Sequence, residues 1–226
     1  GEKLTHREVL VTLLLLLVAG NETTTNLIGN GLLDWDSLKA WRAECQREGD
    51  RKDQPKLTVL ISRQEIADAV QRLAKEIRRD YVSREPMLIG VLKGAFMFTA
   101  DLMRALNVPA TVDFVRVSTY DTGTTTSDRP RILQGVRSPI KDRHLLIVED
   151  IVDTALTIRH LESYLRRKGA ASIKLCALLS KPSRRQVEAT IDYLGFEIPD
   201  RFVVGYGLDY DQRYRYLPDV CVLEEA

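Results

Sequence analysis

The chain has 226 residues, 44% of them apolar and 29% charged, with a formal net charge of +1. That composition buries a core and excludes a disordered segment, and a near-neutral balance excludes a global field for nucleic acid or anionic membrane. Three widely spaced cysteines, Cys45, Cys176 and Cys221, and three scattered histidines form no C-x-x-C or H-E-x-x-H pattern, which argues against a disulfide framework or a zinc site and suits a reducing cytoplasm.

The chain opens on a Leu-rich stretch. Val9 to Ala19 is apolar but too short to cross a bilayer, which takes about 20 residues. Val18-Ala19-Gly20 is a poor cleavage site, and Glu2 and Glu8 spoil a basic leader, so no signal peptide is expected. Residues 1–33 read as a helical extension and 34–55 as a polar connector. From Lys56 the signals alternate. Ser62 and Glu65 form a capping box, followed by Ile66, Val70, Leu73 and Ile77 at helical spacing. Met87 to Leu92 reads as a buried strand, Phe96 to Leu106 as a helix, and Thr111 to Val117 as a strand. Asp121 to Arg131 is rich in Thr, Ser, Asp and Gly and reads as a mobile loop. Leu145 to Val148 is a further strand. Leu161 and Leu165 mark a helix ending at Gly169, and strands are expected over Ile173–Leu179, Phe202–Tyr206 and Val220–Leu223. The alternation predicts an α/β fold: a mainly parallel sheet flanked by helices, with ligands beyond the carboxyl ends of the strands.

The most informative run is Leu145 to Thr157, LLIVEDIVDTALT. An apolar strand leads straight into Glu149 and Asp150, then Asp153 and Thr154, and a helix follows. A helix start offers free N–H groups and a positive dipole end to a phosphate. Thr154 and Thr157 add hydroxyls, and adjacent carboxylates suit the vicinal hydroxyls of a ribose. Asp153 or Thr154 could simply cap the helix, with the acids solvated. Three of them at the end of so apolar a strand fit a phosphosugar better.

V-E-D-I-V-D-T resembles the phosphoribosyl-diphosphate motif of the type I phosphoribosyltransferases, in wording closest to the hypoxanthine(-guanine) phosphoribosyltransferases. VLKGAFMFTADL at 91–102, TVDFVRVSTY at 111–120, ALLSK at 177–181 and GFEIPDRFVVGYGLDYDQRYR at 195–215 match in the same order. The resemblance spans 56–226 and implies a transferase domain with a small C-terminal hood. It implies that Glu149 and Asp150 hold the ribose hydroxyls and help order Mg2+, together with Asp209. Asp153 becomes the general acid/base at purine N7, and Thr154, Ala155, Leu156 and Thr157 wrap the 5′-phosphate. Lys93, Gly94 and Arg215 meet the diphosphate, with a cis peptide expected before Lys93. Lys181, Phe202 and Val203 take the purine, and Ser118, Thr119 and Tyr120 belong to a lid. The family usually has Gly where this chain has Ala155, whose methyl is expected to crowd the phosphate cradle.

The implied substrates are a 6-oxopurine and phosphoribosyl diphosphate, the implied location is the cytoplasm, and the implied assembly is a homodimer or homotetramer. A donor-sensing regulator without catalysis, or a transferase for xanthine, would share much of this pattern. Separately, LLLLLVAGNETTTNLIGNG, within residues 1–32, resembles one helix of cytochrome-P-type haem-thiolate monooxygenases, with Glu22, Thr23 and Thr24 at its acid-alcohol positions. None of the three cysteines sits in the Gly-rich loop such a haem needs, so no haem is expected. The segment reads as a fusion remnant, a gene-prediction artefact or a cloning scar.

Overall fold

The computed structural model describes residues 55–118 and 130–224. The helical extension, all of the connector but Pro55, and the lid residues Thr119 and Tyr120 lie outside them. The elements follow in order: β1 (Leu57–Ile61), α1 (Arg63–Asp80), β2 (Pro86–Leu92), α2 (Phe96–Leu106), β3 (Thr111–Ser118), β4 (Arg131–Gln134), β5 (His144–Val152), α3 (Leu156–Arg167), β6 (Ser172–Ser180), a 3-10 turn (Pro182–Arg184), β7 (Tyr193–Glu197), β8 (Val203–Val204) and β9 (Val220–Leu223).

Six strands form one sheet in the order β4-β3-β2-β5-β6-β7. All neighbours are parallel except the antiparallel edge pair β3–β4. A smaller antiparallel sheet, β1-β9-β8, forms the hood. The main sheet is apolar on both faces. In β2 and β5, Met87, Ile89, Leu145 and Ile147 pack with Ile158, Leu161 and Leu165 of α3. The alternate residues Leu88, Leu146 and Val148 pack with Leu73 and Ile77 of α1 and Phe98 and Leu102 of α2. Period-2 alternation thus feeds two separate cores, as strands covered on both faces require. No described helix is long and apolar enough to cross a membrane.

The local signals hold where they were strong. Ser62 and Glu65 close the capping box reciprocally. Gly169 adopts φ 86° just past α3. Three differences have physical causes. The strand expected over 202–206 is confined to Val203–Val204, because Gly205 and Tyr206 turn to positive φ and the chain folds back through a Gly205–Leu208 bridge. β5 does not stop at Val148 but continues through the acids to Val152, because its pairing with β6 persists there. β1, β4 and β7 were absent from the expected elements. All three are four or five residues long and lie at sheet edges, where pattern is weakest.

The strand order reverses between β2 and β5. The chain builds β3 and β4 on one side of β2, then returns to build β5, β6 and β7 on the other. Ligands of open α/β sheets bind at such a switch point, outside the carboxyl ends of the strands.

The far end of the sheet is tied by a single acid. Asp80, the last residue of α1, accepts from Lys174 Nζ at 2.8 Å and from the Tyr193 hydroxyl at 2.7 Å. These partners lower its carboxyl from the ordinary 3.8 to about 2. A carboxyl depressed on folding contributes stability that is complete above its unfolded value and is lost as pH falls through the folded one. Asp80→Asn is therefore expected to lower stability at pH 7 by about 1 kcal/mol, or about 2–4 °C in Tm. Thermal melts followed by circular dichroism should show that deficit shrinking between about pH 4 and pH 2. An equal deficit across that range would show the contribution is not ionic.

Candidate active site

β2 and β5 deliver their ends to the same place. Asp150 lies so close to the loop after β2 that a Cβ on Gly94 would stand 1.7 Å from Asp150 Oδ2. Only a glycine lets this backbone approach the carboxylate. The peptide between Leu92 and Lys93 is cis, as the resemblance implied.

Glu149 and Asp150 are both buried, at 8% and 9% exposure. Burial, reinforced by the charge of Asp150, pushes the Glu149 carboxyl well above its usual range. Burial raises Asp150 as well, opposed by the N–H of Ile151, by Glu149 and by Arg215. Asp150 Oδ1 accepts from Ile151 N at 2.9 Å, whereas Glu149 Oε2 is buried without a hydrogen-bond partner. A buried acceptor with no donor favours a ligand that brings one.

Beyond the pair opens a cleft of about 330 Å3, lined by Glu149, Asp153, Thr154, Ala155, Leu156 and Thr157 and flanked by Arg184. The start of α3 forms its floor. The N-cap is Ala155, at φ 65° and ψ 4°, with no side chain capping the helix. Thr154 Oγ1, one residue before that N-cap, accepts from Leu156 N in a long bond of 3.4 Å. The following N–H groups of the first turn are left for an anion. Ala155 is 3% exposed and packs into the second core, so its methyl faces hydrocarbon. Its effect on the cradle comes through the left-handed backbone.

Asp153 is held by a residue outside the expected set. Arg184 Nε donates to Asp153 Oδ1 at 3.0 Å. The same guanidinium lies 3.6 Å from Asp200 Oδ2, and Asp200 Oδ1 lies 3.8 Å from Lys181 Nζ. Lys181 is buried at 7% exposure, at the end of β6, where its N–H bonds Val152 O. Asp153 and Lys181 are thus linked through Arg184 and Asp200. Phe202 is exposed and meets Tyr210 edge to face at 5.6 Å. Val203 is buried in β8, and Ser118 ends β3.

A third group lies in the hood. Asp209 Oδ1 pairs with Arg215 at 2.7 Å, and Arg215 also donates to Gly207 O at 2.6 Å. Lys93 Nζ donates to Gln212 Oε1 at 2.8 Å. Among the described residues no three acidic, histidine or cysteine side chains converge on one point as a metal cage. That suits a Mg2+ that keeps waters and takes most of its oxygens from a phosphate substrate.

Arg184, Asp200, Tyr210 and Gln212 were not foreseen. Arg184 stands three residues after Lys181, but a surface cation there carries no signature. Gln212 has no sequence signal at all.

The phosphoribosyl transferase domain model matches residues 60–211. A hypoxanthine-guanine phosphoribosyltransferase of Streptococcus pneumoniae is 44% identical over 167 residues, covering 74% of this chain and 93% of the relative. That of Crithidia fasciculata is 46% identical over 175 residues, covering 74% and 84%. The crystal structure of a hypoxanthine-guanine phosphoribosyltransferase from Bacillus anthracis superposes with a TM-score of 0.71 at 38% identity, covering 76% of this chain and all of that one. The domain match over 60–211, the identity to these relatives and the sheet shared with them make this chain a member of the phosphoribosyltransferase family.

Proposed function

We propose that the chain transfers the 5-phosphoribosyl group of 5-phosphoribosyl 1-diphosphate to hypoxanthine and guanine, giving IMP or GMP and diphosphate in purine salvage. The observation that carries this reading is the cleft at the start of α3. It has open helix amides on one side, the unpaired Glu149 Oε2 on another, and Asp153 at its edge.

The 5′-phosphate rests on the first turn of α3, with the hydroxyls of Thr154 and Thr157. Glu149 and Asp150 accept from the ribose 2′- and 3′-hydroxyls, which supplies the missing partner. Lys93, the Gly94 amide and Arg215 face the diphosphate, where guanidinium forks suit phosphate oxygens. Glu149, Asp150 and Asp209 would order the shell of a Mg2+, which when bound would supply positive charge to the diphosphate. The purine stacks on Phe202, and the Val203 backbone reads its edge. Lys181 donates to the 6-oxo oxygen. The bond from ribose C1 to the diphosphate oxygen breaks as purine N9 bonds to C1, and Asp153 takes the proton from N7. Ser118, which ends β3, is the described member of the lid set that keeps water from the site.

The cytoplasm fits this reaction, since the described cysteines, Cys176 and Cys221, are free and buried. A dimer or tetramer is the assembly we assign, and residues 56–226 are the catalytic domain.

Donor and Mg2+ incubated with hypoxanthine, guanine, xanthine, adenine or orotate test the reading. Hypoxanthine and guanine should turn over. Adenine should fall roughly 10³-fold lower in kcat/KM or further, because its 6-amino group meets the ammonium donor of Lys181. No turnover with any base would favour a sensor over an enzyme.

Asp153→Asn should lower kcat by about 10²–10⁴-fold. Donor affinity should stay within about two-fold, because the residue acts on the base. Lost donor binding with intact chemistry would mean its role is misassigned. Ala155→Gly relieves the left-handed strain, and donor KM should fall roughly two- to five-fold. Unchanged KM and turnover would show that Ala155 does not impede the cradle.

A further inference from the structure

The two cations assigned to the diphosphate meet at one neutral side chain. Lys93 Nζ lies 2.8 Å from Gln212 Oε1, across 119 positions of sequence. Arg215 Nη2 approaches the same oxygen at 3.4 Å. The surrounding backbone is arranged to put that oxygen there. Tyr210 and Arg213 bridge antiparallel through reciprocal bonds of 3.3 and 2.9 Å. Asp211 and Gln212 are the two central residues of this tight turn, at φ 49° and 61°.

A two-residue turn with both centres left-handed prefers Asn-Gly or Asp-Gly. Glutamine is a poor occupant of the second place, where glycine costs least. Asp209 secures it, accepting from Gln212 N at 2.9 Å through one oxygen and pairing with Arg215 through the other. The hood segment that leads into the turn also sits on the loop that carries Lys93. A Cβ on Gly207 would stand 2.1 Å from Gly94 O.

We propose that Gln212 is a positioning residue for the diphosphate end of the donor. Its side-chain carbonyl gathers Lys93 and Arg215 into one anion-facing pair. Two like charges from distant segments repel, and a shared acceptor offsets that repulsion before the ligand arrives. A neutral amide adds no negative charge to the one Asp209 already sets beside Arg215, whereas a second carboxylate would compete with the diphosphate. The strained turn places a side chain within reach of both cations. The proposal rests on the transferase reading in one respect, that Lys93 and Arg215 face the diphosphate.

The test titrates inorganic diphosphate with Mg2+ into the full chain by calorimetry and measures donor and base kinetics alongside. Gln212→Met keeps the length and removes the acceptor. Gln212→Gly removes the side chain and suits the turn. Both should weaken diphosphate binding and raise donor KM about five- to ten-fold, with kcat and base KM within about two-fold. The Gly variant should also gain about 2–4 °C in Tm, which separates lost positioning from lost folding. Diphosphate affinity within about two-fold of the parent in both variants would overturn the proposal. Failure of the parent chain to turn over any purine would overturn the transferase reading alone, because the titration reads Gln212 without a base.

Discussion

Glu149 and Asp150 reach the end of β5 on a strand whose preceding residues, Leu145 to Val148, are fully buried, and hydrocarbon on both faces of the sheet removes the two acids from water. Burial of a carboxylate without donors is unfavourable, and an unpaired acceptor costs about 1–3 kcal/mol. The fold bears this cost with Glu149 Oε2 unpaired. A ligand bringing donors recovers it, so two cores that serve stability also leave an open acceptor at the cleft.

The same constraint shapes the loop after β2. Asp150 can be buried only if something small covers it, and Gly94 does so with its backbone. Gly207 of the hood then covers Gly94 in turn. Acid, loop and hood stack by backbone contact at the switch point between β2 and β5. The cations Lys93 and Arg215 therefore arrive beside the acids through packing, without attraction over distance. Opposite charges are kept close but unevenly paired: Arg215 has Asp209, while among the described residues the Lys93 ammonium meets the amide of Gln212.

What could be read from residues alone follows from which interactions are local. The capping box of Ser62 and Glu65 and the helix after the acids depend on neighbours in sequence and are found as expected, while the strand that carries the acids runs on to Val152. The short edge strands Arg131–Gln134 and Tyr193–Glu197 depend on partners far along the chain and carry little pattern of their own. The site divides in the same way. Asp153 was visible because it stands in a run with Glu149 and Asp150. Arg184, which orients it, and Asp200, which links Arg184 to Lys181, are ordinary charges until folding brings them together. Ala155 was expected in the cradle; it lines the cleft and also packs into the second core, from a left-handed backbone that no residue pattern announces.

Backbone strain marks the same region independently. Seven non-glycine residues among those described have positive φ. Asn107 and Asp142 are of the kinds that tolerate it, and they sit at a helix end and a turn. The remaining five are Ala155, Tyr206, Asp211, Gln212 and Tyr214. One starts the phosphate helix, and four lie in the hood segment that carries Asp209 and Arg215. Left-handed alanine, glutamine and tyrosine persist only where surrounding structure over-determines them, and such sites gather where geometry matters more than stability. Unpaired buried acid, glycine-only contacts and left-handed backbone are three separate physical signals. Their coincidence at the β2–β5 switch point argues that this region was shaped by what it holds.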